Sequence, residues 1–113
     1  MILPKQDDLK AAVKAARDHL LAQEKKLYPD CTIDDADPKA VGEDRPPDRV
    51  GNKVGRIVKL HLTNPDALER FVYLAVVHQP DQVLALQCEC DWRRKVYWEV
   101  NFNQLVREFR VGK

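Results

Sequence analysis

Apolar residues in the first part of the chain recur every three, four or seven positions, which predicts an amphipathic helix. The recurring positions are Leu9, Val13, Ala16, Leu20 and Leu27. Asp7 or Asp8 can cap the helix, because a carboxylate accepts hydrogen bonds from the free N–H groups of the first turn. Tyr28 followed by Pro29 ends it, since a residue before proline is disfavoured in helical conformation. A single apolar stripe indicates that this helix packs on another part of the fold.

Three later segments have the character of β-strands. Apolar and polar residues alternate over 58–62, which is typical of a strand with one face in water. The run 71–78 is more apolar and rich in β-branched and aromatic residues. Turn-forming residues at 79–82 separate it from a third strand at 83–92. Short turns between neighbouring strands predict antiparallel pairing.

The last segment fits two patterns. Every second residue from Val96 to Phe102 is apolar, as in a strand. A longer set recurs at helical spacing and consists of Trp98, Phe102, Leu105, Val106 and Phe109. Because the helical pattern extends further, it favours a helix over 97–109 with these residues toward the core. A fourth strand within 96–109 is the alternative.

The segment 29–53 differs in composition from its flanks. It contains four of the seven prolines, and its seven acidic and four basic residues give a net charge of −3. Residues 1–28 hold six basic and four acidic side chains and 54–113 hold nine and seven, so each part is +2. Because prolines withdraw backbone donors and Asp and Gly favour turns, we expect a long acidic loop here.

These elements predict an α+β fold. We expect an antiparallel sheet of three to five strands packed with an N-terminal and a C-terminal helix, because each element must bury its apolar face. The chain, 1–113, is predicted to be a single domain with an N-terminal helix (1–28), an acidic Pro-rich loop (29–53), and strands with a closing helix (54–113). A chain of this length buries on the order of two-thirds of its unfolded surface, enough for a core without disulfides.

The C-terminal half resembles a known group of proteins. The residues that carry the resemblance are Leu86-Gln87-Cys88-Glu89-Cys90, Phe102, Leu105, Val106 and Phe109-Arg110-Val111. Over about 56–111 the chain is similar to the PsbP-like α/β superfamily, which includes the photosystem extrinsic protein and the Ran-binding Mog proteins. That group closes with a strand, a short loop and a helix ending in a Ser-Phe-Arg-like turn, with Glu108 at the serine position here. The resemblance implies a non-catalytic accessory or binding protein; the first half of the chain departs from the group.

Cys88 and Cys90 are the first residues that could carry chemistry. Two cysteines two positions apart on a strand place both sulfurs on one face, where a metal could bridge them with His61, His78 or Cys31 as further ligands. However, their strand face is otherwise apolar, and free cysteines in that setting are typical core thiols. We therefore expect no metal and no cofactor. A small-ligand, metal or thiol site around His61, His78, Cys88 and Cys90 is the alternative.

Trp92, Arg93, Arg94 and Lys95 form the second candidate site. Three adjacent positive charges beside an aromatic ring could hold a phosphate group or a single-stranded nucleic acid by ion pairing and stacking. The competing interpretation is a basic loop between strand and helix, with its aromatic residues turned into the core. The 19 basic and 18 acidic residues of the whole chain leave a net charge of +1, which argues against nucleic-acid binding through bulk charge.

The composition is compatible with few kinds of enzyme. The chain contains no serine, which excludes a Ser-His-Asp arrangement, and its three histidines are not at metal-ligand spacing. We expect no catalytic residues and predict a non-enzymatic accessory or protein-interaction domain that binds another protein, with a homo-oligomer as a further option. No apolar run approaches the roughly 18 residues of a membrane helix, and an odd number of cysteines suits a reducing compartment. We therefore expect a cytoplasmic protein without a membrane partner.

Overall fold

A computed structural model of the chain describes residues 1–36, 47–65 and 69–109. These residues form six strands and two helices. The strands are β1 (Ile2–Pro4), β2 (Thr32–Asp35), β3 (Asp48–Val50), β4 (Lys53–Thr63), β5 (Arg70–His78) and β6 (Gln82–Asp91). The helices are α1 (Leu9–Leu27) and α2 (Lys95–Glu108), and a 3₁₀ turn (Trp92–Arg94) precedes α2.

The strands form an antiparallel sheet in the order β1-β6-β5-β4-β2, and β3 pairs with the first residues of β4. β4, β5 and β6 follow one another along the chain and form the centre of the sheet. The predicted α+β class, with an antiparallel sheet and an N-terminal and a C-terminal helix, is confirmed. β1, β2 and β3 are short additions at the edges.

β5 is buried on both faces and divides the apolar core in two. Val72, Leu74 and Val76 pack with α1, and Phe71, Tyr73, Ala75 and Val77 pack with α2. Because successive side chains of a strand point to opposite faces, the two helices lie on opposite sides of the sheet. Burial on both faces explains why 71–78 is nearly all apolar instead of alternating.

α1 begins and ends where the sequence predicts. The Asp8 carboxylate accepts a hydrogen bond from the Ala11 N–H (2.8 Å), and Tyr28 follows the last helical residue. The side chains that α1 buries are Ala12, Ala16 and Leu20. Leu27, which the spacing placed on the same stripe, is exposed. In the described ranges, neither helix is long and apolar enough to cross a bilayer.

The acidic segment 29–53 is more regular than its composition predicts. β2 and β3 lie within it, and β4 begins at Lys53 rather than at 58. β2 pairs with β4, with Ile33 opposite Leu62, and Gly51 turns β3 into β4 with a φ of 61°, which suits a tight hairpin. Pairing with a long neighbouring strand therefore outweighs the low strand propensity of these residues. The remainder of the predicted loop, 37–46, lies outside the described residues.

Gly55 allows β4 to pass close to the backbone of β5. A Cβ atom at this position would overlap the carbonyl oxygen of Val76 and crowd the side chain of Val50. Because glycine has no Cβ, it is the residue that permits this approach. Val50 is thereby placed in the core beneath α2.

The last segment is a helix, and the alternative of a strand within 96–109 is wrong. α2 begins two residues before the predicted start. It follows the 3₁₀ turn, where the Asp91 carboxylate accepts a hydrogen bond from the Arg93 N–H (3.0 Å). Phe102 and Val106 are the side chains that α2 buries.

Candidate interaction surface

α2 buries Phe102 and Val106, as its apolar spacing predicts, but it is rotated from the predicted position so that polar residues also face the sheet. Glu99 forms an ion pair with Lys59 of β4 (2.6 Å), and Asn103 accepts a hydrogen bond from the Tyr73 hydroxyl of β5. Tyr73 is buried, and burial raises the pKa of its hydroxyl to about 12, with the negative charge of Glu99 adding to the shift. These two polar contacts, together with buried Phe102, fix the rotation of the helix.

As a result, large apolar side chains of α2 are exposed. They are Val96 (77% exposed), Tyr97 (70%), Val100 (69%), Leu105 (53%) and Trp98 (39%). The expectation that Trp98 and Leu105 lie in the core is therefore wrong. Single apolar residues are common on protein surfaces, but several on one short helix are typical of a contact with another molecule.

The exposed residues divide into two sets around α2. Val96, Tyr97 and Val100 lie on the side turned away from Phe102, and we call them the outer face. Trp98 and Leu105 are seven positions apart and therefore share one side of the helix, which we call the flank. The two sets point in different directions, so one partner surface does not have to cover both.

The flank lies beside a half-covered part of β6. Leu84, Leu86, Cys88 and Cys90 point to the α2 side of the sheet and are half-buried; we call them the apolar strip. Trp98 and Cys90 line a pocket of about 370 Å³ at the end of this strip. Its remaining lining residues are Glu89, Asp91, Arg94 and Phe102. Because two carboxylates face one guanidinium there, the pocket offers no uniform positive charge to an anion.

The backbone edge of β6 is paired over only part of its length. β1 pairs with residues 82–84, and Ala85 exchanges two backbone hydrogen bonds with Met1 (2.9 and 3.1 Å). Beyond Ala85, no strand in the described ranges lies along this side of β6. Since outward-pointing backbone groups alternate along a strand, Gln87 and Glu89 present their N–H and C=O groups here. We call the backbone of 86–91 the open edge.

The three cysteines are free thiols in two environments. Cys31 is buried beneath α1, where burial and then the negative charge of Glu24 raise the pKa of its thiol. Cys88 and Cys90, predicted as core thiols, are only half-buried, because α2 does not cover the edge of the sheet. Burial still raises the pKa of both thiols. A thiol with a raised pKa is a poor nucleophile at neutral pH.

The histidines do not meet at a common site. The His61 Nε2 is hydrogen-bonded to Glu69 (2.7 Å), and the His78 Nε2 is hydrogen-bonded to the carbonyl oxygen of Gln6 (2.7 Å). His61 lies beside the start of β5 and His78 at its end, so roughly 23 Å of strand separates them. Among the residues that the structure describes, no group of three or more His, Cys, Asp and Glu side chains could hold a metal ion.

The residues predicted as a basic binding patch surround the start of α2. Trp92 is half-buried and stacks on the ring of His61, with 3.7 Å between the centroids. The Lys95 ammonium lies 4.0 Å from the centroid of the same indole. Arg93 and Arg94 are exposed. The indole is therefore engaged by side chains of its own chain, whereas the two guanidinium groups can reach another molecule.

Two features of this surface were not predicted from the sequence. The open edge has no local signal, because it depends on where β1 stops pairing with β6. The outer face did have one: Val96 and Val100 are four positions apart and repeat on the side opposite Phe102. Comparisons of the chain with family models, curated proteins and solved structures found no match.

Proposed function

We propose that this protein is a non-enzymatic interaction domain that binds an acidic, apolar segment of another protein on the outer face of α2. The observation that carries the proposal is the exposure of Val96, Tyr97 and Val100 on one side of a 14-residue helix. Covering these side chains removes apolar surface from water at about 25 cal/mol per Å². Interfaces between proteins are also enriched in aromatic residues and arginine.

The charge next to the outer face selects the kind of partner. Arg93 and Arg94 are exposed in the turn that leads into α2. The carboxylate of Glu99 does not neutralise them, because it faces the sheet and pairs with Lys59. A segment that combines Asp or Glu with large apolar side chains therefore complements both parts of the surface.

Three further observations support a binding role rather than catalysis. His61 and His78 are engaged at opposite ends of β5, and the cysteine thiols have raised pKa values. The resemblance that the sequence suggests between 56–111 and the PsbP-like superfamily, whose members are mostly accessory and binding proteins, would imply the same. The free thiols fit the reducing cytoplasm, where we place the protein.

Nucleic acid is the main competing ligand for the two arginines. Stacking of a base requires a free aromatic face, but the indole of Trp92 already contacts His61 and Lys95. The exposed apolar side chains of the outer face also have no counterpart in a phosphate backbone. Both observations favour a protein segment over a nucleic acid.

Peptide display against the immobilised whole chain tests the proposal. We expect the selected peptides to combine acidic with large apolar residues. Val100→Asp should weaken their binding at least about tenfold, or ~1.4 kcal/mol, because it places a carboxylate in the apolar contact. Leu27→Asp is the matched control, since Leu27 is an equally exposed apolar residue on α1.

Equal binding by Val100→Asp and the unaltered chain would contradict the proposal. Salt-sensitive binding of labelled single-stranded DNA, lost on changing both Arg93 and Arg94 to Ala, would instead support the nucleic-acid alternative. Stoichiometric zinc that disappears in a Cys88→Ala, Cys90→Ala variant would support the metal or thiol alternative.

A further inference from the structure

We propose that two copies of this chain pair antiparallel through their open edges, about a two-fold axis at Cys88, and join their sheets into one. This contact uses the edge of β6 and the flank, so it does not depend on the outer face of α2. The partner is a second copy because, in one register, the side chains along the open edge complement those of the same edge in another chain.

Backbone geometry leaves few ways to pair two copies of β6. Ala85, Gln87 and Glu89 direct their N–H and C=O groups outward, and a two-fold pair must place such residues opposite one another. An axis at Gln87 would set Glu89, in the middle of the open edge, against Ala85, whose backbone groups already bond Met1. An axis at Cys88 brings only Asp91, the last residue of β6, to Ala85, so that 86–90 of both copies can pair and the strand leaves the contact at Asp91. Axes at Glu89 and at Cys90 keep Ala85 outside the contact.

Electrostatics selects among these three registers. An axis at Glu89 sets the two Glu89 side chains directly opposite each other, and an axis at Cys90 sets each Glu89 opposite Asp91 of the second copy. Like charges in either position destabilise a strand pair. An axis at Cys88 instead sets each Glu89 opposite Gln87 of the second copy, whose amide can donate a hydrogen bond to the carboxylate. Within one chain, Gln87 Nε2 already donates to Glu89 (3.4 Å), and Arg70 lies 3.4 Å from the same carboxylate. The Cys88 register therefore pairs polar groups without uncompensated charge.

The same register covers the half-buried apolar groups. Leu86 of one copy lies opposite Cys90 of the other, and the two Cys88 side chains face each other on the α2 side of the sheet. Trp98 lines a pocket with Cys90, so the flank of each copy borders the joined strip at its Cys90 end. Water is thereby excluded from three half-buried strand positions in each chain, Leu86, Cys88 and Cys90.

The paired assembly is also closed. Residues 86–90 of both copies are consumed by the contact, and β1 blocks pairing beyond Ala85. An isologous contact of this kind ends at two chains and leaves no free part of this edge for further growth.

Analytical ultracentrifugation of the whole chain is the first test. We expect a species of twice the 13.0 kDa chain mass that dissociates on dilution. Leu86→Lys should shift the protein to a monomer, because it places an ammonium group in the joined apolar strip. Val54→Lys, which alters an exposed residue of β4, is the control and should leave the dimer unchanged.

Disulfide trapping is the second test, because it shows which cysteines of the two β6 strands lie opposite each other. Non-hydrogen-bonded antiparallel pairs have Cα atoms about 4.5 Å apart, within the range of about 4.4–6.8 Å for a disulfide. Diamide accepts the two electrons and two protons that two thiols release when they form a disulfide. It should link two chains through Cys88 in Cys90→Ser but should not link them in Cys88→Ser. A monomeric mass at all concentrations would overturn the proposal, and so would a dimer whose trapping requires Cys90.

Discussion

The Tyr73 hydroxyl joins the central strand to α2, and its raised pKa makes that contact measurable. The phenol has a pKa of about 10 when unfolded and about 12 in the folded protein. Folding therefore favours the protonated phenol, so its full contribution is present below pH 10 and is lost as the pH rises toward 12. The three thiols, whose pKa values are also raised, lower the unfolding free energy at alkaline pH in every variant that keeps them. At about 1.36 kcal/mol per pKa unit, Tyr73 alone should lower it by a further ~1.3 kcal/mol between pH 9 and 11.

Tyr73→Phe should remove this pH dependence. At neutral pH the variant should lose about 1 kcal/mol of unfolding free energy, because Asn103 loses its hydrogen-bond donor. The two proteins should then have nearly equal unfolding free energies at pH 11, where the phenol of Tyr73 is ionised in the unfolded chain but still protonated in the fold. Urea denaturation across pH 7–11 measures both effects.

The exposed Tyr97 supplies the control, since Tyr97→Phe removes a phenol that water solvates in both states. Absorbance at 295 nm should also show a tyrosine with a pKa of about 12, and this transition should be missing in Tyr73→Phe. A constant stability difference between Tyr73→Phe and the unaltered chain from pH 7 to 11 would refute the reasoning. It would mean that Tyr73 ionises alike in the folded and unfolded states.

Two further stability predictions follow from packing, and both are measured by urea denaturation at neutral pH. Phe102→Ala should lower the unfolding free energy by about 3–4 kcal/mol because Phe102 is buried beneath α2. Trp98→Ala should lower it by only ~1–2 kcal/mol because the indole is partly in water. Equal losses would contradict the observed rotation of the helix. Gly55→Ala should lower the unfolding free energy by about 2–3 kcal/mol, because the added Cβ would overlap the carbonyl oxygen of Val76. That oxygen belongs to the backbone and cannot move aside as a side chain could. Val54→Ala, at the exposed neighbouring position, should change little, and a similar loss there would argue against the close approach.

The long elements could be predicted because their signals are local. The cap at Asp8, the stop at Tyr28-Pro29 and the two-faced apolar run of β5 all depend on neighbours in the sequence. The short strands have no such signal. β1 and β2 have three or four residues each and gain their partners from far along the chain, as when Ile2 lies opposite Leu84.

The interaction surface was harder to predict than the fold for a physical reason. α2 carries apolar residues on several sides, so spacing alone allows more than one face to be buried. Contacts with distant strands make the choice, namely Glu99 with Lys59 and Asn103 with Tyr73. The face shared by Cys88 and Cys90 was predicted correctly, but their exposure depends on how far α2 reaches across the sheet.

The position of β1 also bears on how the protein reaches its native state. β4, β5 and β6 are consecutive, so their pairing closes only short loops. Pairing of β1 with β6 instead brings residue 2 to residue 84 and closes a much longer loop. Because the entropy lost on closing a loop grows with its length, we expect β1 to dock after the central strands. Until it docks, β6 is unpaired on one side along all ten of its residues. We expect a newly made chain to be most open to pairing with a wrong strand during that interval.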